Sequence, residues 1–350
     1  MIGAVIDGCP AGLRLDLQQV QVQLNRRKPG QWAPGSSRAE DDAVQVVSGL
    51  YEGVTIGTPL TLLIHNKDQR SADYEPLKDV YRPSHADFTY ERKYGVRDPR
   101  GGGRSSARVT AAVVAAGAVA RQLLTRAGIT VLAYVEQAGE IASKVNFLHE
   151  ETFQESFQES IEANAMRCPD PQAAAEMEAW VRELKENGDS CGGIIACEIF
   201  GTPPGLGAPL FNKLQADLAA ALFSINTVHG FEYGSGFAGA SRKGSEHNDA
   251  FILSQGKVKT GTNHSGGIQG GISNGMKINF RAAFKPVASI AKEQITLNRA
   301  GESVRLGITG RHDACVLPRA VPIVEAMAAL VLADHWLLQR TAKISTDEKD

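Results

Sequence analysis

The chain has 350 residues, 43% of them hydrophobic, with 37 lysines and arginines against 39 aspartates and glutamates. That length builds one large domain or two ordinary ones around a sizeable core. The near balance of charge excludes a broadly basic nucleic-acid or membrane-surface protein, so any cationic site has to come from local clustering. Five cysteines, odd in number and without zinc-ligand spacing, read as reduced thiols, and no metal site is expected. No secretory leader is visible at residues 1–13. No apolar run reads as long enough to span a bilayer, residues 109–120 being the nearest. A soluble, cytoplasmic protein is expected.

Residues 2–8, Ile-Gly-Ala-Val-Ile-Asp-Gly, read as the end of a strand running into a turn. A helix follows: Asp16 suits its N-cap, Leu17, Val20 and Leu24 share one face, and Arg26-Arg27-Lys28-Pro29-Gly30 ends it. Residues 60–64 look like a buried strand. Residues 81–108 are polar, rich in Arg and Gly and without hydrophobic periodicity, and long ordered loops usually serve function. From 109 to 124 the run is Ala/Val-rich and apolar nearly all round, which marks a helix enclosed in a core, with Ser105 and Ser106 placed just ahead of it as caps.

Asp170-Pro171 opens an amphipathic helix that runs to about Gly188. Leu214, Leu218, Leu222 and Ile225 form the stripe of another. Met276, Ile278 and Phe280 alternate with polar residues, as in a half-buried strand. A last apolar helix covers residues 321–338, and residues 341–350 read as a disordered tail. Without a linker or repeat, residues 1–340 form a single α/β domain.

The chemistry concentrates in residues 97–108, Arg-Asp-Pro-Arg-Gly-Gly-Gly-Arg-Ser-Ser-Ala-Arg. Glycines let backbone N–H groups approach an anion, and serines at a helix N-terminus add free donors and a favourable dipole. Arg104 and Arg108 contribute forks suited to phosphate or carboxylate. Arg26-Arg27-Lys28 reads equally as a second anion cluster or as cations favoured at a helix C-terminus. His85, in Arg82-Pro83-Ser84-His85-Ala86-Asp87, is either a plain loop residue or a proton-transfer group. The glycine-rich run 264–271 lacks the dinucleotide spacing and either cradles a phosphate or flavin or turns tightly. Arg311-His312-Asp313 reads as a surface ion pair or as a clamp with a proton acceptor. Together these residues describe a binder of a polyanionic small molecule.

Four runs, residues 82–87, 100–108, 263–272 and 310–313, resemble in order and spacing the signature segments of the chorismate synthase family, and the likeness extends from Gly3 to about Arg340. The resemblance implies an α+β fold, a β-α-β sandwich with helices packed between two antiparallel sheets, assembled as a homotetramer. It implies a lyase that eliminates phosphate from 5-enolpyruvylshikimate 3-phosphate in a 1,4-anti sense, using reduced FMN. Arg27, Arg82 and Arg108 match positions that bind substrate or NADP. Arg104, Ser105, Ser106, Asn226, Thr227, Gly270, Lys285, Pro286, Val287, Ala288, Ser289 and Arg311 match the flavin site. His85 and Asp313 match the catalytic acid–base groups.

Val109, Gly261 and Ala314 stand where the family usually has Glu, Arg and Pro. The family's opening strand and its Gly-Glu-Ser-His-Gly motif are not in the sequence, and poor turnover is expected on that account. A competing reading is a flavin- or anion-binding subunit without catalysis.

Overall fold

A helix apolar on every side has to be enclosed, and Thr110–Arg126 is enclosed over most of its length. The structure, a computed structural model, describes residues 1–31, 35, 40–67, 71–98, 103–308, 310 and 312–343, with backbone alone at 71–73. Thr110–Arg126 packs lengthwise on the equally apolar Leu317–Gln339, and Leu17–Arg27 lies against both. The two long helices touch at Gly117. A Cβ there would sit 2.4 Å from Ala326 Cβ and 2.5 Å from its Cα, so only glycine permits the approach.

Two sheets cover this helical layer. The first has three strands, Ile2–Ile6, Leu60–Ile64 and Val44–Ser48 in that spatial order, and faces Thr110–Arg126. The second has five, in the order Ile141–Ala142, Thr130–Ala138, Gly193–Phe200, Ile278–Phe284 and Val228–Tyr233, and faces Leu317–Gln339. Every strand pair in both sheets is antiparallel. Helices between two antiparallel sheets are the α+β sandwich expected.

Several local readings change. Residues 81–108 contain a short helix, Asp87–Tyr94, closed by Gly95 at φ 70°. Ile278–Phe284 is not half-buried: Ile278, Asn279 and Phe280 are all inside. The reason is that the five-stranded sheet is covered on both faces, its second face packing Leu132, Tyr134, Ala196 and Phe200 against Phe147, Phe157 and Ile161. Thr130–Ala138 and Gly193–Phe200 escaped the sequence reading because a continuous apolar run carries no period to identify it. Residues 107–126 and 317–339 are each long and apolar enough to cross a membrane, contrary to expectation, yet 56% and 61% of their apolar windows are buried within this fold. All five cysteines are free and buried. Of the expected tail, residues 344–350 lie outside the described residues.

One charge sits in the middle of the helical layer. Glu325, 0% exposed, accepts from Arg26 Nη1 at 2.5 Å, from Arg121 Nη1 at 2.6 Å and from the Ala133 backbone N–H at 3.1 Å. Three helices and a strand of the five-stranded sheet thus meet on one carboxylate. Burial alone would raise the Glu325 carboxyl; Arg26 and then Arg121 outweigh it and bring it down to about 2.

Glu325→Gln leaves the buried Arg26 and the partly exposed Arg121 short of charge and should cost about 3–5 kcal/mol in chemical denaturation. Because the folded-state value lies below the ordinary 4.5, the stabilisation is present above that range and lost as pH falls toward 2. The variant should therefore show a shallower loss of stability across that window. Gly117→Ala should cost about 1–3 kcal/mol through overpacking, despite alanine's better helix propensity; an unchanged unfolding midpoint would mean the two helices can separate freely.

Candidate active site

Arg26 and Arg27 are consecutive, so about 100° of helix rotation separates them. That rotation sends Arg26 into the core network and Arg27 into a cleft of about 670 Å³ lined from residues 82–98, 103–108, 226–227, 285–289 and 312–319. Among the described residues seven cations line this cleft, Arg27, Arg82, Arg97, Arg104, Arg108, Lys285 and Arg319, against the carboxylates Glu40, Asp87, Asp98 and Asp313. The formal excess is three positive charges.

Arg27 is 2% exposed and held by three acceptors: Thr110 Oγ1 at 3.1 Å, the Ala107 carbonyl at 2.7 Å and Asp42 Oδ2 at 3.4 Å. Asp42, itself buried and in the left-handed backbone region at φ 49°, also accepts from Arg108, whose Nε donates to Asn66 Oδ1 at 2.9 Å. Arg108 is therefore tied into the framework, where the sequence suggested only a ligand clamp. Burial first, then Arg319 and Arg108 against Asp42, pull the Arg27 guanidinium down to about 9. A guanidinium does not surrender its proton in a protein, so Arg27 is a buried cation whose burial and cationic neighbours outweigh the Asp42 carboxylate beside it.

Asp87, 4% exposed, gathers a second cluster. Its Oδ2 accepts from Arg82 Nε at 2.7 Å, and its Oδ1 from Arg82 Nη2 at 2.6 Å and Arg97 Nη1 at 3.1 Å. His85 Nδ1 stands 3.0 Å from the same Oδ1. Burial would raise the Asp87 carboxyl, but hydrogen bonds from Arg82 and His85 overcome it and hold it well below the usual carboxylate range.

On the opposite wall, Asn226 Nδ2 donates to the Ser105 carbonyl at 3.2 Å, and Ser106 Oγ caps the turn Ala107–Val109 through the Arg108 N–H at 3.2 Å. Thr227 has φ 74°, a strained value for a β-branched residue, and its buried Oγ1 lacks a hydrogen-bond partner among the described residues. Its carbonyl accepts from the Lys285 N–H at 2.8 Å. Lys285 Nζ reaches the Pro286 carbonyl at 3.3 Å, and partial burial lowers its pKa. Asp313 pairs with Arg319, whose Nε also donates to the Arg27 carbonyl at 3.2 Å.

Comparison with known proteins agrees with this geometry. The family model described as chorismate synthase matches residues 1–337. Chorismate synthase of Christiangramia forsetii is 54% identical over 343 residues, 98% of this chain and 94% of the relative. That of Parabacteroides distasonis is 54% identical over 340 residues, with 97% and 93% covered. A crystal structure of a chorismate synthase superposes with a TM-score of 0.76 at 31% identity, covering 96% of this chain and 87% of the other.

The chain belongs to the chorismate synthase family.

Membership in the chorismate synthase family, over nearly the whole length of its relatives, supports a lyase and not the subunit devoid of catalysis. Of the residues matched to its sites, Arg27, Arg82, His85, Arg104, Ser105, Ser106, Arg108, Asn226, Thr227, Lys285, Val287, Ala288, Ser289 and Asp313 all line the cleft. Pro286 lies between lining residues without lining it. Arg311 lies outside the described residues.

Gly270 is not brought to the cleft. It turns at φ 63° between the short strands Ile268–Gln269 and Ile272–Ser273, and the adjacent Gly271 packs so closely on Ala208 and Lys213 that a Cβ would meet Ala208 O at 2.4 Å. Gly266, Gly267, Gly270 and Gly271 all adopt left-handed backbone. Conversely, Asp42, Asp87, Arg97 and Arg319 took no role in the sequence reading. Asp87 carried a signal, five residues after Arg82 and two after His85; so did Arg319, a cation in a first helical turn where the dipole disfavours one. Asp42 had none.

Thr227→Val keeps the β-branch and the backbone strain but removes the unpartnered hydroxyl. It should leave the ligand-free protein as stable or more stable, by up to about 1–3 kcal/mol; a loss of that size in thermal unfolding would show that the hydroxyl has a partner in solution.

Proposed function

We propose that the chain converts 5-enolpyruvylshikimate 3-phosphate to chorismate by 1,4-anti elimination of phosphate, with reduced FMN in the same cleft, as a cytoplasmic homotetramer. The observation that carries this reading is Arg27: a guanidinium 2% exposed, whose burial and cationic neighbours outweigh the Asp42 carboxylate, at the floor of a cleft with three excess positive charges on its lining. A substrate with one phosphate and two carboxylates, about three and a half to four negative charges, is of the sign and order that such a lining accommodates.

The wall residues fit a flavin. Among the described residues the buried Thr227 Oγ1 lacks a partner, Ser105 and Ser106 stand at the start of a helical segment, and Lys285 lacks a carboxylate hydrogen-bond partner. Arg104, Ser105, Ser106, Asn226, Thr227 and the segment 285–289 would hold it. Bound there, reduced flavin would lend electron density to the elimination without net redox change.

The protein's own groups do the rest. Arg27, Arg82 and Arg108, fixed in advance by Asp42 and Asp87, hold the substrate's anions and stabilise the charge that builds as phosphate departs. His85 holds a proton facing the cleft, and Asp313, oriented by Arg319, assists proton removal. Assembly is supported by the hairpin Phe251–Ser254/Lys257–Thr260, which offers Phe251, Leu253 and Val258 to solvent at 69%, 77% and 67% exposure.

Anaerobic mixing with reduced FMN and substrate should release inorganic phosphate together with chorismate; release of neither overturns the reading. Substrate should also tighten FMN binding in calorimetry, because both share the cleft. His85→Ala should slow single-turnover phosphate release by about 10²–10⁴-fold with little change in substrate affinity. An unchanged rate would return His85 to an ordinary loop residue.

A further inference from the structure

An imidazole offers two nitrogens, and which of them carries the hydrogen in the neutral ring is set by the partner of the other. His85 lines the cleft with its side chain 23% exposed, and Nδ1 is the nitrogen engaged, 3.0 Å from Asp87 Oδ1; Nε2 has no hydrogen-bond partner among the described residues. We infer that Asp87 is the positioning residue of His85: its carboxylate accepts the Nδ1 hydrogen and so leaves Nε2 as the atom that takes up and delivers the proton in the cleft.

The geometry fixes the acceptor tightly. Asp87 is 4% exposed, Arg82 grips both of its oxygens through Nε and Nη2 and its main-chain N–H bonds Oδ2 at 3.1 Å, and Arg97 reaches Oδ1 at 3.1 Å. With these cations on it, Asp87 stays ionised and can only accept. A ring without hydrogen on Nδ1 would turn a lone pair toward a carboxylate at 3.0 Å, which is repulsive. The rival donor to Nδ1 is Arg82 Nη2, also at 3.0 Å: one of its two hydrogens goes to Asp87 Oδ1 at 2.6 Å and the other remains for Nδ1, but a bare Nδ1 would still face the ionised Oδ1. The same carboxylate stabilises the imidazolium once Nε2 is protonated, so the acid form is favoured in place and its ring cannot rotate without losing Nδ1. Asp87 sits in the first turn of the helix Asp87–Tyr94, whose backbone holds it still.

This inference rests on the proton-transfer role proposed for His85, and two measurements separate it from that role. The first needs no turnover. In the full chain labelled with ¹⁵N-histidine, the resonances missing from His85→Ala identify His85. In the neutral ring Nδ1 should be the protonated nitrogen and Nε2 the bare one, with a shift toward the opposite tautomer in Asp87→Asn. Hydrogen on Nε2 in the wild type, or the same tautomer in both, overturns the inference.

The second is a double-mutant cycle in single-turnover phosphate release. Asp87→Asn should lower the rate constant by about 10²–10⁴-fold, the range of an acid–base group's contribution, and most of that loss should disappear in the His85→Ala background, where only the loosened hold on Arg82 is left to lose. A purely structural Asp87, holding Arg82 and Arg97, would instead raise KM and add its full loss in either background. If His85→Ala alone leaves the rate unchanged, the proposed role of His85 falls, and the tautomer measurement still decides on Asp87.

Discussion

Glu325 is a carboxylate with no access to water, and the helical layer is arranged so that this is tolerable. Arg26 comes from the first helix, Arg121 from the second, the Ala133 N–H from the sheet, and Glu325 itself from the last helix. Removing any one partner leaves buried charge unmatched, at about 3–5 kcal/mol. The close contact of Gly117 with Ala326, one residue from Glu325, brings the long helices near enough for Arg121 to reach. Once those helices are set, so is the direction of Arg27, because the residue before it is locked.

The cleft repeats the same device at two points. Asp42 takes Arg27 and Arg108; Asp87 takes Arg82, Arg97 and the His85 ring. In each case a buried acid holds cations in position without any ligand, the arrangement that preorganised electrostatic stabilisation requires. The acids do not cancel the cations: three positive charges are in excess on the lining, and two once Asp42, which is not part of it, is counted. Strain is kept here too: Asp42 and Thr227 both adopt left-handed backbone, and Thr227 holds inside the cleft wall a hydroxyl without a partner among the described residues.

Ligand-facing groups come from irregular backbone and helix starts, while the sheets supply rigidity. Asn226, Thr227 and the 285–289 segment flank two neighbouring strands of the five-stranded sheet, and the Lys285–Thr227 backbone bond joins them. Asp313 and Arg319 straddle the beginning of the last helix, so the clamp on Asp313 inherits the position of the helix that carries Glu325.

By itself the sequence determined the elements whose signals are local. Asp16 and Asp170 cap the helices they were expected to cap, the all-apolar run after Ser106 is a core helix, and the arginine- and glycine-rich runs identify the family. Periodicity could not find Thr130–Ala138 or Gly193–Phe200, because a strand covered on both faces has no polar phase. Nor could it say that Arg26 belongs to the core and Arg27 to the cleft. That depends on a glutamate 299 positions away in the chain, and on which face the helix turns toward it. Asp42, 66 residues from Arg108, carries no motif at all. Contacts of this kind are long in sequence and short in space, so the tertiary structure alone decides them.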